Sequence, residues 1–413
     1  MIRFLLSTLP MFVCGFWSVF FILEWFGNRE MRTWRLSVFM AVCMLLYACH
    51  FVFFEQVSRL VPVTDSLYSF CNPAVFPLFY IYVKEQTDAS RQKRPAWCYL
   101  IPSFLCFIAV SITYALMSAE EVELFVDDYL YCGDFSSLHG LAYVQFLFHV
   151  LVKFVFAAQI VPILVSGIRR IRNFESQLAA NYSELDGKTM RPITLLLGLF
   201  VVVSLISFLC NIIGRERFFD SIWMLSVSSL SFSFLLYMVG YAAYRQHFSA
   251  AMMESEGMGT ADDFTAEVPP AFPSVFCGRS GAASDGFSAT GLDAEQEKAE
   301  LDDKMDLLKE QIQQLMVEEK FYLRPNLKIL DVSQRLGTNR SYIYNAINGG
   351  MGISFSDYVN RLRIDYAVSL MKTDKDLLLS EISTKAGFAS TVSFYRNFKH
   401  FMGCSPKSFR DRL

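Results

Sequence analysis

Near the C-terminus, Thr391, Val392, Arg396 and Lys399 fall on one side of a short helical pattern, opposite Phe394, Phe398 and Phe401. A planar guanidinium such as that of Arg396 can donate two parallel hydrogen bonds to the edge of a guanine, and the methyls of Val392 can meet a thymine methyl. Lys399 adds a point charge of the kind that meets a phosphate. Ser390 stands just ahead of the pattern, where a side-chain oxygen can cap the first free amides of a helix. Earlier in the chain, Ser341, Tyr344, Asn345 and Asn348 recur at i, i+3, i+4 and i+7, with Ile343, Ala346 and Ile347 on the other face. Both polar faces have the chemistry of side chains that read base edges in a major groove.

The elements needed to hold those faces are legible around them. Leu330–Leu336 reads as a short helix, Gly337 as a turn and Asn339–Asn348 as a second helix. Leu379–Ala386, Gly387 and Ser390–Met402 repeat the arrangement. A longer helix joins the two, with Phe355, Val359, Leu362, Tyr366 and Leu370 at helical spacing. At 1.5 Å per residue it is roughly 28 Å long, which suits two readers entering major grooves about 34 Å apart. From Tyr322 onward there are fourteen Lys and Arg against seven Asp and Glu, in a chain whose net charge is −3. A basic island in an acidic chain is the footprint of a polyanionic partner, here double-stranded DNA.

At this point the sequence resembles the AraC/XylS family of transcription regulators. The resemblance is carried by Ile382-Ser383-Thr384-Lys385-Ala386-Gly387-Phe388-Ala389-Ser390, by Phe394-Tyr395-Arg396-Asn397-Phe398-Lys399, and by Gly403-Cys404-Ser405-Pro406 ahead of Phe409-Arg410. Upstream, Tyr358-Val359-Asn360-Arg361-Leu362-Arg363-Ile364 and Ala367 match the joining helix. The resemblance implies that Ser341, Tyr344 and Asn345 occupy base-contacting positions and Arg340 a phosphate-contacting one. The chain departs from the family pattern at Ser333 and Ser383, where Ala is frequent, and at Lys328, where a capping Ser or Thr is common. The front of the chain is not that family's usual sugar-binding barrel, and the whole resembles membrane-integrated forms of such regulators.

That front end is made of apolar stretches. Spans are expected near 4–26, 36–54, 61–83, 96–117, 140–167, 192–213 and 221–243, each close to the roughly 20 residues that cross a bilayer. The third is the weakest, with Asn72, Pro73 and Pro77 inside it. The first run is too long for a secretory h-region and reads as a retained span. The segments 27–35, 84–95 and 168–191 hold twelve Lys and Arg, while the opposite set holds only Arg59, Arg215 and Arg217, with Arg3 on the N-terminal stub. The positive-inside rule then puts the N-terminus outside and everything after the seventh span in the cytoplasm of an inner (plasma) membrane protein. The expected fold is all-α: a seven-helix membrane domain over 1–247, a flexible Gly/Ser/Pro-rich linker over 248–292, an amphipathic helix over 293–320 and an AraC-type domain over 321–413 with two helix-turn-helix units.

Leu301, Met305, Leu308, Ile312 and Leu315 form a stripe within the amphipathic helix. Fewer than three heptads leaves two readings open, a helix packed on the next domain and a homodimer seam. In the spans, His50, Asp65, His149, Lys153 and Asn211 lie toward the outer ends and are candidates for sensing a signal molecule; snorkelling interfacial side chains are the plainer reading. Lys153 and Asp65 have opposite charge and could pair. The acidic stretch 118–138 reads as a solvated loop, with divalent metal or cationic ligands as the alternative. Most of the ten cysteines lie in apolar stretches and none has metal-ligand spacing, so no metal site is expected. No catalytic motif is present and no cofactor is expected. The leading expectation is a one-component, membrane-bound transcription regulator and not an enzyme. The alternatives are a transporter or enzyme with an attached regulatory domain, or a constitutive tether of DNA to the membrane.

Overall fold

A computed structural model describes residues 2–88, 96–186, 188, 191–213, 218, 221–246, 249–256 and 291–413. Among these residues the chain is helical and has no strand; one isolated antiparallel bridge joins Tyr182 and Lys328. The fold divides into two compact units. The first is Met1–Phe174 with Met190–Ala251; the second is Glu175–Thr189 with Met252–Leu413. The stretch 175–189, placed by sequence inside the membrane domain, therefore belongs to the unit that carries the C-terminus.

Among the described residues, the first unit is made of seven long helices: α1 (Ile2–Asn28), α2 (Met31–Phe54), α3 (Val61–Thr87), α4 (Ile101–Leu116), α6 (Gly140–Asn181), whose residues from Glu175 onward belong to the second unit, α7 (Arg191–Ile213) and α8 (Ile222–Arg245), with a short α5 (Ala119–Leu124) after α4. Six of the seven are long and apolar enough to cross a membrane; α3 is not among them. The reason is its position. Cys71, Ala74, Phe76, Phe79, Tyr82 and Val83 along α3 are all buried, so this helix offers little surface to lipid and can carry Asp65 and Asn72 inside the bundle. The lipid-compatible surface comes from other helices, where Phe12, Phe16 and Leu23 of α1, Leu105 and Leu116 of α4, and Val227 and Phe234 of α8 stand exposed. Large apolar side chains on the outside reverse the pattern of a water-soluble bundle.

Close packing explains particular residues. A Cβ at Gly240 would lie 2.3 Å from the Trp17 ring, so α8 meets α1 through a glycine. Phe79 and Phe200 stack at 3.8 Å between ring centres. The acidic stretch after α4 is a correction to the solvated-loop reading. Ser118 and Glu121 form a reciprocal cap on α5, and the following π-helical turn Phe125–Tyr131 inserts Phe125, Val126 and Leu130 against Val110, Tyr114 and Ala142. Its carboxylates face outward while its apolar residues fill the core.

A short α9 (Ala250–Ser255) crosses from the first unit into the second and precedes residues outside those described, which include most of the expected linker. The unit then runs α10 (Gly291–Val317), α11 (Ile329–Leu336), α12 (Arg340–Tyr344), α13 (Phe355–Thr373), α14 (Leu379–Lys385), α15 (Thr391–Met402) and α16 (Pro406–Arg410). Leu308, Ile312, Leu315 and Met316 of α10 are buried against the elements around α11 and α12, so this part of the stripe is used within one chain. The side chain of Leu301 lies outside the described residues.

Gly337 ends α11 in the left-handed region at φ 63°. Gly387 sits at φ 83°, and a Cβ there would lie 2.4 Å from the Leu323 carbonyl oxygen. Only glycine meets both demands. The element expected as a regular helix over Asn339–Asn348 is shorter. After Tyr344 the backbone widens into a π-helical turn over Asn345–Gly350. Asn348, Gly349 and Gly350 are weak helix formers, which lets the last turn open without losing the burial of Ala346 and Ile347.

Candidate nucleic-acid interface

The second helix-turn-helix unit is built around Ile382, Ala386, Phe394 and Phe398, all fully buried. Ser390 caps α15, its hydroxyl accepting from the Ser393 amide at 3.0 Å. With the aromatic face turned inward, Thr391, Val392 and Lys399 are left exposed, Val392 at 70%, and Arg396 is half-buried beside them. In the first unit the Asn339 side chain accepts from the Ser341 amide at 3.3 Å. Ile343, Ala346 and Ile347 are fully buried; Arg340, Ser341 and Tyr344 are half-buried and Asn345 is exposed. Each expected set of contact residues thus shares the outer side of its own reading helix. The joining helix α13 has 19 residues, capped by Ser354, whose hydroxyl accepts from the Asp357 amide at 3.0 Å.

One feature of this surface lay outside the sequence reading. The turn that follows α6, Tyr182 to Asp186, is seated on the helix-turn-helix units. The Ser183 amide and hydroxyl both donate to the Leu327 carbonyl, at 3.0 and 2.7 Å. The Ser183 carbonyl accepts from Asn360 Nδ2 at 2.8 Å and from the Ser356 hydroxyl at 3.2 Å. Glu184 is 3% exposed. Its Oε1 accepts from Arg363 Nη1 at 2.9 Å and from the Ala389 amide at 3.4 Å, and its Oε2 from the Ser393 hydroxyl at 2.5 Å. Asp186 takes the Ser390 hydroxyl at 3.0 Å and pairs with the guanidinium of Arg396.

Arg363 is the largest fully buried side chain of the unit. Its guanidinium also donates to the carbonyls of Tyr322 and Arg324, each at 2.7 Å. Burial holds its pKa down to about 10, against the opposing pull of the Glu184 charge and hydrogen bond. At neutral pH the guanidinium therefore stays charged. Lys328, read from sequence as a poor cap, has other work: its backbone bridges Tyr182, its Nζ lies 2.9 Å from Glu256, and its own amide is taken by Asp331 at 2.8 Å. The signal that could have exposed this docking is faint. Glu175, Glu184 and Asp186 are three acids in a stretch otherwise read for its basic residues.

In the first unit of the fold, the sensing candidates separate. Asp65 is buried, and its Oδ2 lies 2.6 Å from His149 Nε2 and accepts from the Tyr114 hydroxyl at 2.9 Å. His149 Nδ1 lies 2.9 Å from the Gln145 carbonyl. The imidazole therefore bridges the Gln145 carbonyl and the Asp65 carboxylate. Lys153 is exposed one turn beyond His149; His149 and Tyr114 are among the groups that hold the Asp65 carboxylate. His50 borders a separate cavity of about 110 Å³ with Tyr47, Tyr68, Asn72, Ser228 and Phe232. Asn72 is 5% exposed, and among the described residues its amide nitrogen has no hydrogen-bond acceptor. The side chain of Asn211 lies outside the described residues.

With two turn glycines, two capped reading helices and their buried aromatic or aliphatic backs in place, the comparison with known proteins is direct. A helix-turn-helix domain family matches residues 332–412. The C-terminal segment is an AraC-type helix-turn-helix domain. The domain is similar to the Msm operon regulatory protein of Streptococcus mutans, 30% identical over 88 residues that cover 21% of this chain and 31% of the relative. It is also similar to an uncharacterized HTH-type transcriptional regulator of Staphylococcus aureus, 30% identical over 89 residues, 22% of this chain and 12% of the relative. The chain spans less than a third of the length of these curated relatives. No solved structure matches. The AraC-type domain follows a region with six helices apolar enough to span a membrane.

Proposed function

We propose that the chain is a membrane-bound transcription regulator. In this reading the helix bundle receives a signal and the AraC-type domain binds promoter DNA through both helix-turn-helix units, in the cytoplasm of a cell whose inner membrane holds the spans. The observation that carries the DNA half is the second reading helix. Thr391, Val392, Arg396 and Lys399 project from α15 while Phe394 and Phe398 behind them are wholly buried, so the helix is rigidly backed and chemically equipped on its outer side. Arg340, Ser341, Tyr344 and Asn345 supply the corresponding contacts of the first unit. The length of α13, roughly 28 Å, supports two readers in successive grooves. The buried contact between Asp65 and His149, and the cavity beside His50 and Asn72, support the bundle as the place where a signal acts.

The test uses a duplex selected from a random pool. Arg396→Ala should weaken specific binding by about 1–3 kcal/mol and relax preference at one base position, whereas Lys399→Ala should weaken all sequences alike and flatten the salt dependence by about one charge. Unchanged preference and affinity for Arg396→Ala would remove it from the groove. Orientation is tested separately with alkaline phosphatase fusions. One placed after Ala119 should be active and one after Ser249 inactive, and activity at Ser249 would put the AraC-type domain on the wrong side.

A further inference from the structure

We infer that the turn Ser183–Asp186 is a built-in competitor for DNA: its two carboxylates occupy the second reading helix where a phosphate and a base edge would otherwise sit. The inference rests on the reading of Arg396 as a groove residue. One of its terminal nitrogens, Nη1, needed for a two-bond contact with a guanine through the end of the guanidinium, is taken by Asp186. The start of a reading helix is also where amide and hydroxyl donors meet a DNA phosphate. Here those donors are spoken for: the Ala389 amide and the Ser393 hydroxyl by Glu184, and the Ser390 hydroxyl by Asp186. Two carboxylates thus imitate the charge and the acceptor geometry of the nucleic-acid backbone.

The seating is specific. Ser183 is satisfied on its amide, carbonyl and hydroxyl at once, by partners that precede α11 (Leu327) and lie on α13 (Ser356 and Asn360). Glu184 and Asp186 then reach the second unit. A single turn therefore touches the entry to the first unit, the joining helix and the second reading helix. Its two acids differ in kind. Glu184, buried against Arg363, is the anchor; the Asp186–Arg396 pair has about a third of each side chain exposed, at 31% and 34%, and so is open to exchange with salt or with DNA. The turn is also continuous with the bundle. Tyr182 follows directly on the last residue of α6, a helix of 42 residues whose apolar part is one of the candidate spans, and α7 begins at Arg191. A change in either helix pulls on the competitor by the shortest covalent route.

The experiment measures fluorescence anisotropy of a duplex, selected from a random pool by the Asp186→Ala chain, against full-length protein in lipid nanodiscs. Asp186→Ala should bind about tenfold more tightly than the natural chain. Glu175→Ala, which removes an exposed acid of the same segment, should leave the affinity where it was. Adding Arg396→Ala to Asp186→Ala should abolish the gain. Equal binding by the natural and Asp186→Ala chains, with Arg396→Ala weakening both, would overturn the competitor while leaving Arg396 in the groove. A gain from Glu175→Ala as large as that from Asp186→Ala would reduce the effect to general charge and overturn it equally. Indifference of the Asp186→Ala chain to Arg396→Ala would remove the groove assignment, and the competitor with it.

Discussion

From α10 the first helix-turn-helix unit receives apolar bracing, through buried Leu308, Ile312, Leu315 and Met316, whereas from the turn after α6 the second unit receives the carboxylates of Glu184 and Asp186. Apolar burial has no alternative partner in water or in DNA, and it is indifferent to salt. A carboxylate on a guanidinium has many alternatives, among them chloride, water and phosphate. The first unit is therefore mounted as a fixed part of the domain. If α15 enters DNA as proposed, the second is mounted through contacts of the same chemistry as those it would make there, and Arg396 is where the two sets would compete. A regulator whose two readers are held in unlike ways can keep one presented while the other is released.

The largest effect expected from breaking this contrast is at its buried end. Glu184→Ala leaves Arg363 without its counter-charge in an environment that already lowers its pKa to about 10. Removing one partner of a buried pair costs about 3–5 kcal/mol. Thermal unfolding of the full-length protein, followed by hydrogen exchange across 321–413, should show that loss in the second unit and in α13. An effect below about 1 kcal/mol would mean that the carbonyls of Tyr322 and Arg324 suffice for Arg363, and that the turn braces nothing. On the apolar side, Ile312→Ala should cost about 3 kcal/mol by emptying a fully buried site. Its loss should be unchanged between low and high salt, while the protection that depends on Asp186 should fall as salt rises. Matching salt dependence in both would erase the distinction.

How much of this was legible in the sequence varies with the distance over which each feature is decided. Gly337 and Gly387 as turns, Ser390 as a cap, and Phe394 and Phe398 as core follow from spacing within a few residues, and the structure has them so. The widened turn after Tyr344 is also local, but helical periodicity does not distinguish it from a regular helix because Ala346 and Ile347 stay inward in either. The stripe on α10 could be read equally as a seam or as a packing face, and only the burial of Leu308, Ile312 and Leu315 within the chain separates them. Asp65 was legible as a costly residue and Lys153 as a charge that could pair with it. That His149, 84 residues from Asp65, would hold the carboxylate was not. Glu184 and Arg363 are 179 residues apart, and neither position carries a local signal that it faces the other. Pairings of that range are set by the fold, and a single sequence states only that the charges exist.

The smallest expected effect compares the two caps. Asn339 accepts from the Ser341 amide in the first unit and Ser390 from the Ser393 amide in the second, so replacing either with Ala should cost about 1 kcal/mol of stability. The caps differ in a second respect. The Ser390 hydroxyl also donates to Asp186, so Ser390→Ala weakens the seat of the turn as well as the helix start. The Ser183 amide, which donates to the Leu327 carbonyl, reports on that seat by its hydrogen exchange. Ser390→Ala should speed exchange there severalfold, and Asn339→Ala should not, although their unfolding costs are alike. Equal exchange at Ser183 in the two variants would place the hold on the turn entirely at Ser183 and Glu184, with Asp186 a passenger on the reading helix.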